Sequence, residues 1–266
     1  MPDRSRKKDE ATRSFTASRH PLREEGRRRF LSERLGQDLQ ALVQQPNRIL
    51  VLGGGDGIEA KALRKHFPDS SIVSIDLSSA EIEEGSTSCG DRVRGDWDYP
   101  PFRSETFDLV LLFAALHHAE NLTVSLTSIA GLLVPGGWVY ATHEPMASFL
   151  LGWLQKRHMR QVAEEDGGIE SSPGRWEYFR ALRAAGLEDS SIRASGLNLV
   201  RLLEMEGNFE DVEQRRRAYP ERVARTALRI LLPCGERVVF VVIFLVQSLA
   251  FGLFGVTITA RRPHKS

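Results

Sequence analysis

Between Arg48 and Glu144 the chain alternates short apolar runs with stretches of helical spacing, five times in succession. The runs are RILVL (48–52), SIVSID (71–76), DRVRGD (91–96), DLVLLF (108–113) and WVYATHE (138–144). RILVL and DLVLLF carry no polar alternation, which marks strands buried on both faces, as in a parallel sheet. IEAKALRKHF (58–67), SSAEIEEGSTS (78–88) and NLTVSLTSIAGLLV (121–134) read as the intervening helices, the first stopped at Pro68-Asp69 and the last at Pro135-Gly136-Gly137. Strands alternating with helices at this spacing call for βαβ units and an open, doubly wound α/β sheet.

The first strand ends in a glycine cluster, ILVLGGGDGIEA (49–60), with Gly53, Gly54, Gly55 and Gly57 at one turn. Glycine tolerates positive φ and has no Cβ, so such a turn lets backbone approach a nucleotide-like ligand at a helix N-terminus. A bare strand-to-helix connection accounts for the same residues, and dinucleotide-binding enzymes share the feature.

Composition narrows the classes. A chain of 266 residues buries one sizeable core, or one core and a smaller cap. A net charge of +1 gives no support for bulk nucleic-acid binding, so no nucleic-acid partner is expected. Cys89 and Cys234 are too few for a disulfide framework, and a reducing, cytoplasmic setting fits them best. The charged N-terminus has no apolar stretch of the kind a secretory signal needs. Residues 1–34 hold eleven Lys or Arg against six acids, and 1–21 have almost nothing apolar to bury, which predicts a disordered basic tail ahead of one domain over 22–266. No His or Cys pair has metal-ligand spacing beside a third ligand, so no metal is expected. No G-x-S-x-G elbow is present either.

Outside the alternating region the rhythm changes. LREEGRRRFLSERLGQDLQALV (22–43) has amphipathic helical spacing. Residues 145–175 read as a helical cap insertion, GRWEYFRALRAAG (174–186) as an amphipathic helix, LEDSSIRAS (187–195) as a strand and 199–250 as a helical insertion before the last strand. No charge occurs from Val238 to Ala260, which is long enough to span a membrane. Gln247 and Ser248 in its middle, Gly252 and Gly255 near its end and the alternation of GVTITARR favour an apolar helix (about 236–250) followed by a strand (about 254–261). Peripheral membrane contact through 238–256 stays open, and so does a true span.

Taken together, ILVLGGGDG, SIVSID, RGDWDYPPFRSETFDLVLLFAALHH and GLLVPGGWVYATHEP resemble the class I S-adenosylmethionine-dependent methyltransferases, within them the small-molecule branch often called type 11. The resemblance covers about residues 45–145. It implies a Rossmann-like mixed sheet of seven strands in the order 3-2-1-4-5-7-6 with a helical cap, S-adenosyl-L-methionine as cofactor, and in-line methyl transfer to a small acceptor. By the same resemblance Gly53, Gly54, Gly55 and Gly57 face the methionine part. Asp76, with Leu77, meets the ribose, and Asp96, with Trp97, meets the adenine. Phe113, Ala114 and His117 line the cofactor crevice after the fourth strand. His118, His143 and Glu144 are the candidates for a general base, required only if the acceptor must lose a proton early. Simpler readings stand beside these: a helix N-cap for Asp76, a surface turn for Trp97, satisfied polar side chains for the histidines. Phe30, Phe149, Leu150, Leu151, Trp153, Trp176, Tyr178 and Phe179, with the apolar C-terminal helix, suggest an acceptor of hydrophobic or lipid-linked character, though most of them individually suit ordinary helix core.

The family usually carries an acid two positions before its first glycine, and this chain has Val51. That departure keeps a non-catalytic, methyltransferase-like binding protein open. An NAD(P)-dependent oxidoreductase is the third reading, set back because Gly53-Gly54-Gly55-Asp56-Gly57 does not follow G-x-G-x-x-G.

Overall fold

A computed structural model describes residues 31, 35–77, 90–147, 152–153, 156–157, 160–161, 171–194 and 253–264. The expected tail over 1–21, the helix over 78–88, most of the cap over 145–175 and the insertion over 199–250 lie outside the described residues.

Seven strands form one sheet: β1 (Arg48–Leu52), β2 (Ser71–Asp76), β3 (Asp91–Arg94), β4 (Phe107–Phe113), β5 (Leu133–Met146), β6 (Glu188–Ala194) and β7 (Leu253–Arg261). Their order is β3-β2-β1-β4-β5-β7-β6, as the resemblance implies. β1 pairs in parallel with β2 and β4, β2 with β3, and β4 with β5, whereas β7 runs antiparallel between β5 and β6. Among the described residues the helices named are α1 (Leu35–Gln40), α2 (Ile58–His66), α3 (Leu122–Leu132) and α4 (Arg175–Ala184).

The uniformly apolar strands have their explanation in two separate core clusters. Leu50, Leu52, Val110, Leu112, Val139 and Ala141 join Leu126, Ile129 and Leu182 from α3 and α4 in one. Ile49, Val51, Leu109, Leu111 and Tyr140 join Leu35, Leu39 and Leu63 from α1 and α2 in the other. Side chains alternate between the two faces along each strand, and both faces are covered, so neither can tolerate polar alternation.

Several boundaries differ from the sequence reading. α3 ends at Leu132, and the Pro135-Gly136-Gly137 segment belongs to β5, where the Gly136 N–H donates to Arg262 O and the Arg262 N–H to Gly137 O. β3 ends at Arg94, which leaves Asp96 in the turn beyond, its carbonyl accepting from Tyr99 N at 3.0 Å. The strand expected over about 254–261 is present as β7, which takes up residues 253–260 of the charge-free stretch and ends at Arg261, so that stretch is not one continuous helix. Among the described residues no helix is long and apolar enough to cross a membrane.

Candidate functional site

Strand order reverses about β1, which has β2 on one side and β4 on the other. In open α/β sheets, ligands bind at the carboxyl ends of the strands at such a switch point. The glycine turn leaves β1 there. Gly53, Gly55 and Gly57 hold positive φ of 68°, 43° and 81°, a region that side chains with a Cβ adopt only under strain. A Cβ added at Gly53 would come within 3.0 Å of Ala115 Cβ, so the turn and the loop after β4 face each other closely. The turn is tied to β2 by the N–H groups of Gly53 and Gly54, which donate to Ile75 O at 2.9 and 3.3 Å.

Asp76, at the end of β2, is buried, and its Oδ2 accepts the Gly55 N–H at 2.8 Å. The carboxylate therefore fixes the shape of the glycine turn. Leu77 follows it, half-buried. Asp96 sits one turn beyond β3 and accepts the Asp98 N–H through Oδ1 at 3.0 Å. Trp97 packs against the first core cluster together with Phe102. Arg92, from β3, donates through Nη2 to Asp56 O at 2.8 Å and lies across Gly57, where an added Cβ would collide with the guanidinium.

β4 delivers Phe113 and Ala114 to the same edge. Ala114 has φ of 49°, and its N–H donates to Thr142 O at 2.8 Å. A single 3-10 turn, Leu116–His118, follows. Here the sheet brings the sequence candidates together. The Glu144 Oε1 accepts the N–H groups of Ala115 and Leu116, each at 3.0 Å, and Oε2 accepts the His117 N–H at 3.1 Å and His117 Nδ1 at 2.9 Å. The Glu144 side chain is fully buried. Burial pushes its carboxyl upward, but the hydrogen bond and charge of His117 and the N–H groups of Leu116 and Ala115 outweigh that, and it lies below its ordinary range. The His118 ring packs obliquely on His117, with centroids 4.0 Å apart.

His143 takes a different direction. Ala141 pairs with Ile258 and Glu144 with Val256, so Thr142 and His143 together oppose Thr257 alone, which is a β-bulge. His143 carries φ of 64°, and its ring stacks on Phe113 at 4.3 Å. Thr142 Oγ1 lies 3.1 Å from His143 Nδ1 and 2.8 Å from Thr257 Oγ1. His143 is thus on the α1/α2 side of the sheet, while Glu144 turns toward α3 and α4.

Two buried acids were passed over in the sequence. Asp98 accepts from Ser125 Oγ on α3 and from Glu120 N, so it joins the turn after β3 to the start of α3. Glu59 is buried in the first turn of α2. Its position four residues before buried Leu63, on the apolar stripe, was a legible signal. Asp98 offered none, because its partners are more than 20 residues away. Of the aromatics expected to line an acceptor pocket, Tyr178 is core: it is fully buried in the first cluster and donates to Pro145 O at 2.9 Å. Trp176 and Trp153 are exposed, and Phe149 lies outside the described residues.

Residues 50–141 match the family profile described as a methyltransferase domain. A malonyl-[acyl-carrier protein] O-methyltransferase from Legionella pneumophila is 36% identical over 97 residues, covering 35% of this chain and 34% of that protein. A fatty-acid O-methyltransferase from Mycolicibacterium smegmatis is 30% identical over 190 residues, covering 68% of this chain and 57% of that one. The chain spans only about a third of the length of the first curated relatives it matches. Among solved structures, a phosphoethanolamine N-methyltransferase from Haemonchus contortus in complex with S-adenosyl-L-methionine superposes with a TM-score of 0.58 at 14% identity, covering 85% of this chain and 51% of that chain, a likeness of fold. The sheet order defines a Rossmann-like α/β fold, the fold of the solved methyltransferase structure on which the chain superposes. Over its central strands, residues 50–141, the chain is similar to the methyltransferase domain of the class I S-adenosylmethionine-dependent methyltransferases.

Proposed function

We propose that this chain binds S-adenosyl-L-methionine at the carboxyl edge of β1, β2 and β4 and methylates a small acceptor of hydrophobic or lipid-linked character. The observation that carries the reading is the Gly55–Asp76 hydrogen bond, which couples a Cβ-free turn to a buried carboxylate at the switch point. The residues present fit the cofactor: a positive-φ glycine turn for its amino-acid end, Asp76 and Leu77 for the ribose, Asp96 and Trp97 for the adenine, and Phe113, Ala114 and His117 across the crevice. Val51 points into the α1/α2 core, so the acid usual at that position is replaced by packing. When bound, the cofactor supplies a methyl group already made electrophilic by its sulfonium. The chain's own task is then to align an acceptor, and orientation alone can lower the barrier by on the order of 7–11 kcal/mol. The malonyl-carrier and fatty-acid relatives support an acyl or otherwise apolar acceptor. His118 and His143 are proposed to approach that acceptor. Peripheral membrane contact through the part of 238–256 that precedes β7 is proposed as the route by which a greasy acceptor arrives.

Calorimetric titration with S-adenosylhomocysteine and with NADH tests the reading. Binding of S-adenosylhomocysteine is expected, weakened about tenfold or more in Asp76→Ala, which loses both the ribose partner and the Gly55 acceptor. Binding of NADH alone would sink the proposal. S-adenosylhomocysteine binding without transfer to any apolar acid or alcohol would favour a non-catalytic module, the reading that Val51 keeps in view.

A further inference from the structure

We infer that Glu144 is a positioning residue: it sets the loop Ala115–His117 against the end of β4 and keeps the His117 proton on Nδ1, so that Nε2 is the nitrogen that gains and loses a proton. Both carboxylate oxygens are engaged, Oε1 by two backbone N–H groups and Oε2 by a third and by the imidazole. A carboxylate that accepts from three N–H groups is held ionised, because protonating it would aim an O–H at a donor. The imidazole nitrogen facing an ionised carboxylate must be the one that carries hydrogen. The base that Glu144 resembles in sequence is therefore a clamp.

The bulge makes this arrangement. In an unbroken ladder Glu144 would share a face with Tyr140, in the α1/α2 cluster, because strand side chains alternate. The extra residue shifts the alternation by one and turns Glu144 to the opposite face, beside Leu116 and Tyr178. The loop is held from a third direction: the His117 carbonyl accepts Ser171 N at 3.1 Å and Ser171 Oγ at 2.7 Å, just before α4. Strand β5, the loop after β4 and the approach to α4 thus meet at one residue. Among the described residues, the titratable groups about this cluster include His118 on the 3-10 turn, Glu144 on β5, and Tyr178 with Glu177 on α4. Any role of that proton in catalysis rests on the methyltransferase reading.

The test uses the full chain labelled with 15N-histidine, the His117 signals being assigned by their loss in His117→Asn. In the wild type the ring nitrogens should report a proton on Nδ1. Glu144→Gln keeps one oxygen for Ala115 and Leu116 and turns an amide NH2 toward His117. The neutral imidazole should then move its proton to Nε2, and S-adenosylhomocysteine should bind about tenfold more weakly. A wild-type spectrum with the neutral tautomer protonated on Nε2 overturns the inference. So does a Glu144→Gln protein with unchanged tautomer and affinity. Should that variant fail to fold, the wild-type spectrum still decides the tautomer. A wild type that shows the Nδ1 proton yet binds no S-adenosylhomocysteine defeats the cofactor reading and leaves the clamp standing.

Discussion

Glu144 is fully buried with four donors on its two oxygens, and that geometry sets the sign of its effect on stability. Its folded-state carboxyl titrates below the ordinary 4.5 of the unfolded chain. A depressed carboxyl contributes stability that is present above the unfolded value and lost as pH falls through the folded one. Thermal unfolding followed from pH 7 to pH 3 should therefore fall more steeply below about pH 4.5 in the wild type than in Glu144→Gln. At pH 7 the variant should be less stable by about 3 kcal/mol, the usual cost of removing one partner of a buried pair. The identity of Glu144 as a chemically important residue was legible, since it ends the fifth apolar run next to a histidine. Its partners were not, because they lie 27–29 residues earlier and only the pairing of β4 with β5 brings them within reach.

Strands carry the same lesson at the next scale. Alternation in RILVL and DLVLLF was enough to assign β1 and β4, because the two-residue period needs only an unbroken ladder. It could not reveal the bulge at Thr142 and His143, where the period slips by one. Histidine at φ of 64° is tolerable there, whereas a β-branched residue is not. His143→Val should lose about 1–3 kcal/mol in denaturant unfolding. His143→Gly, relieved of that strain but deprived of the Phe113 stack, should stay within about 1 kcal/mol of the wild type. Equal losses in the two variants would mean that the stack, not the backbone, is what matters at this position. Tyr140 in the same strand donates to Asp38 on α1 at 2.9 Å, which joins the N-terminal helix to the sheet through a polar contact inside an apolar cluster. Nothing in the spacing of either residue announces that pair.

Across the whole molecule the two edges of the sheet do different work. The carboxyl edge gathers the glycine turn, Asp76, Asp96, His117, His118 and Glu144. At the amino edge Arg262 binds Glu105 at 2.9 Å and reaches the carbonyls of Gly131 and Leu133, while Asp108 Oδ2 accepts the N–H groups of Asn47 and Arg48 at 2.9 and 2.8 Å. Arg262→Ala should lower thermal stability by about 1 kcal/mol and leave S-adenosylhomocysteine affinity within about twofold, as measured by calorimetry. A large loss of affinity would show that the edges are coupled. The local sequence by itself determined the layered α/β architecture, the glycine turn and the acids that end β2 and follow β3, because strand period, helix period and the backbone freedom of glycine act over a few residues. Tertiary structure alone decided which candidates meet. The parallel pairing of β1 with β4 sets Gly53 against Ala115, and one inserted residue in β5 chooses the face on which Glu144 lies. Such contacts depend on register between distant strands, and register is a property of the assembled sheet.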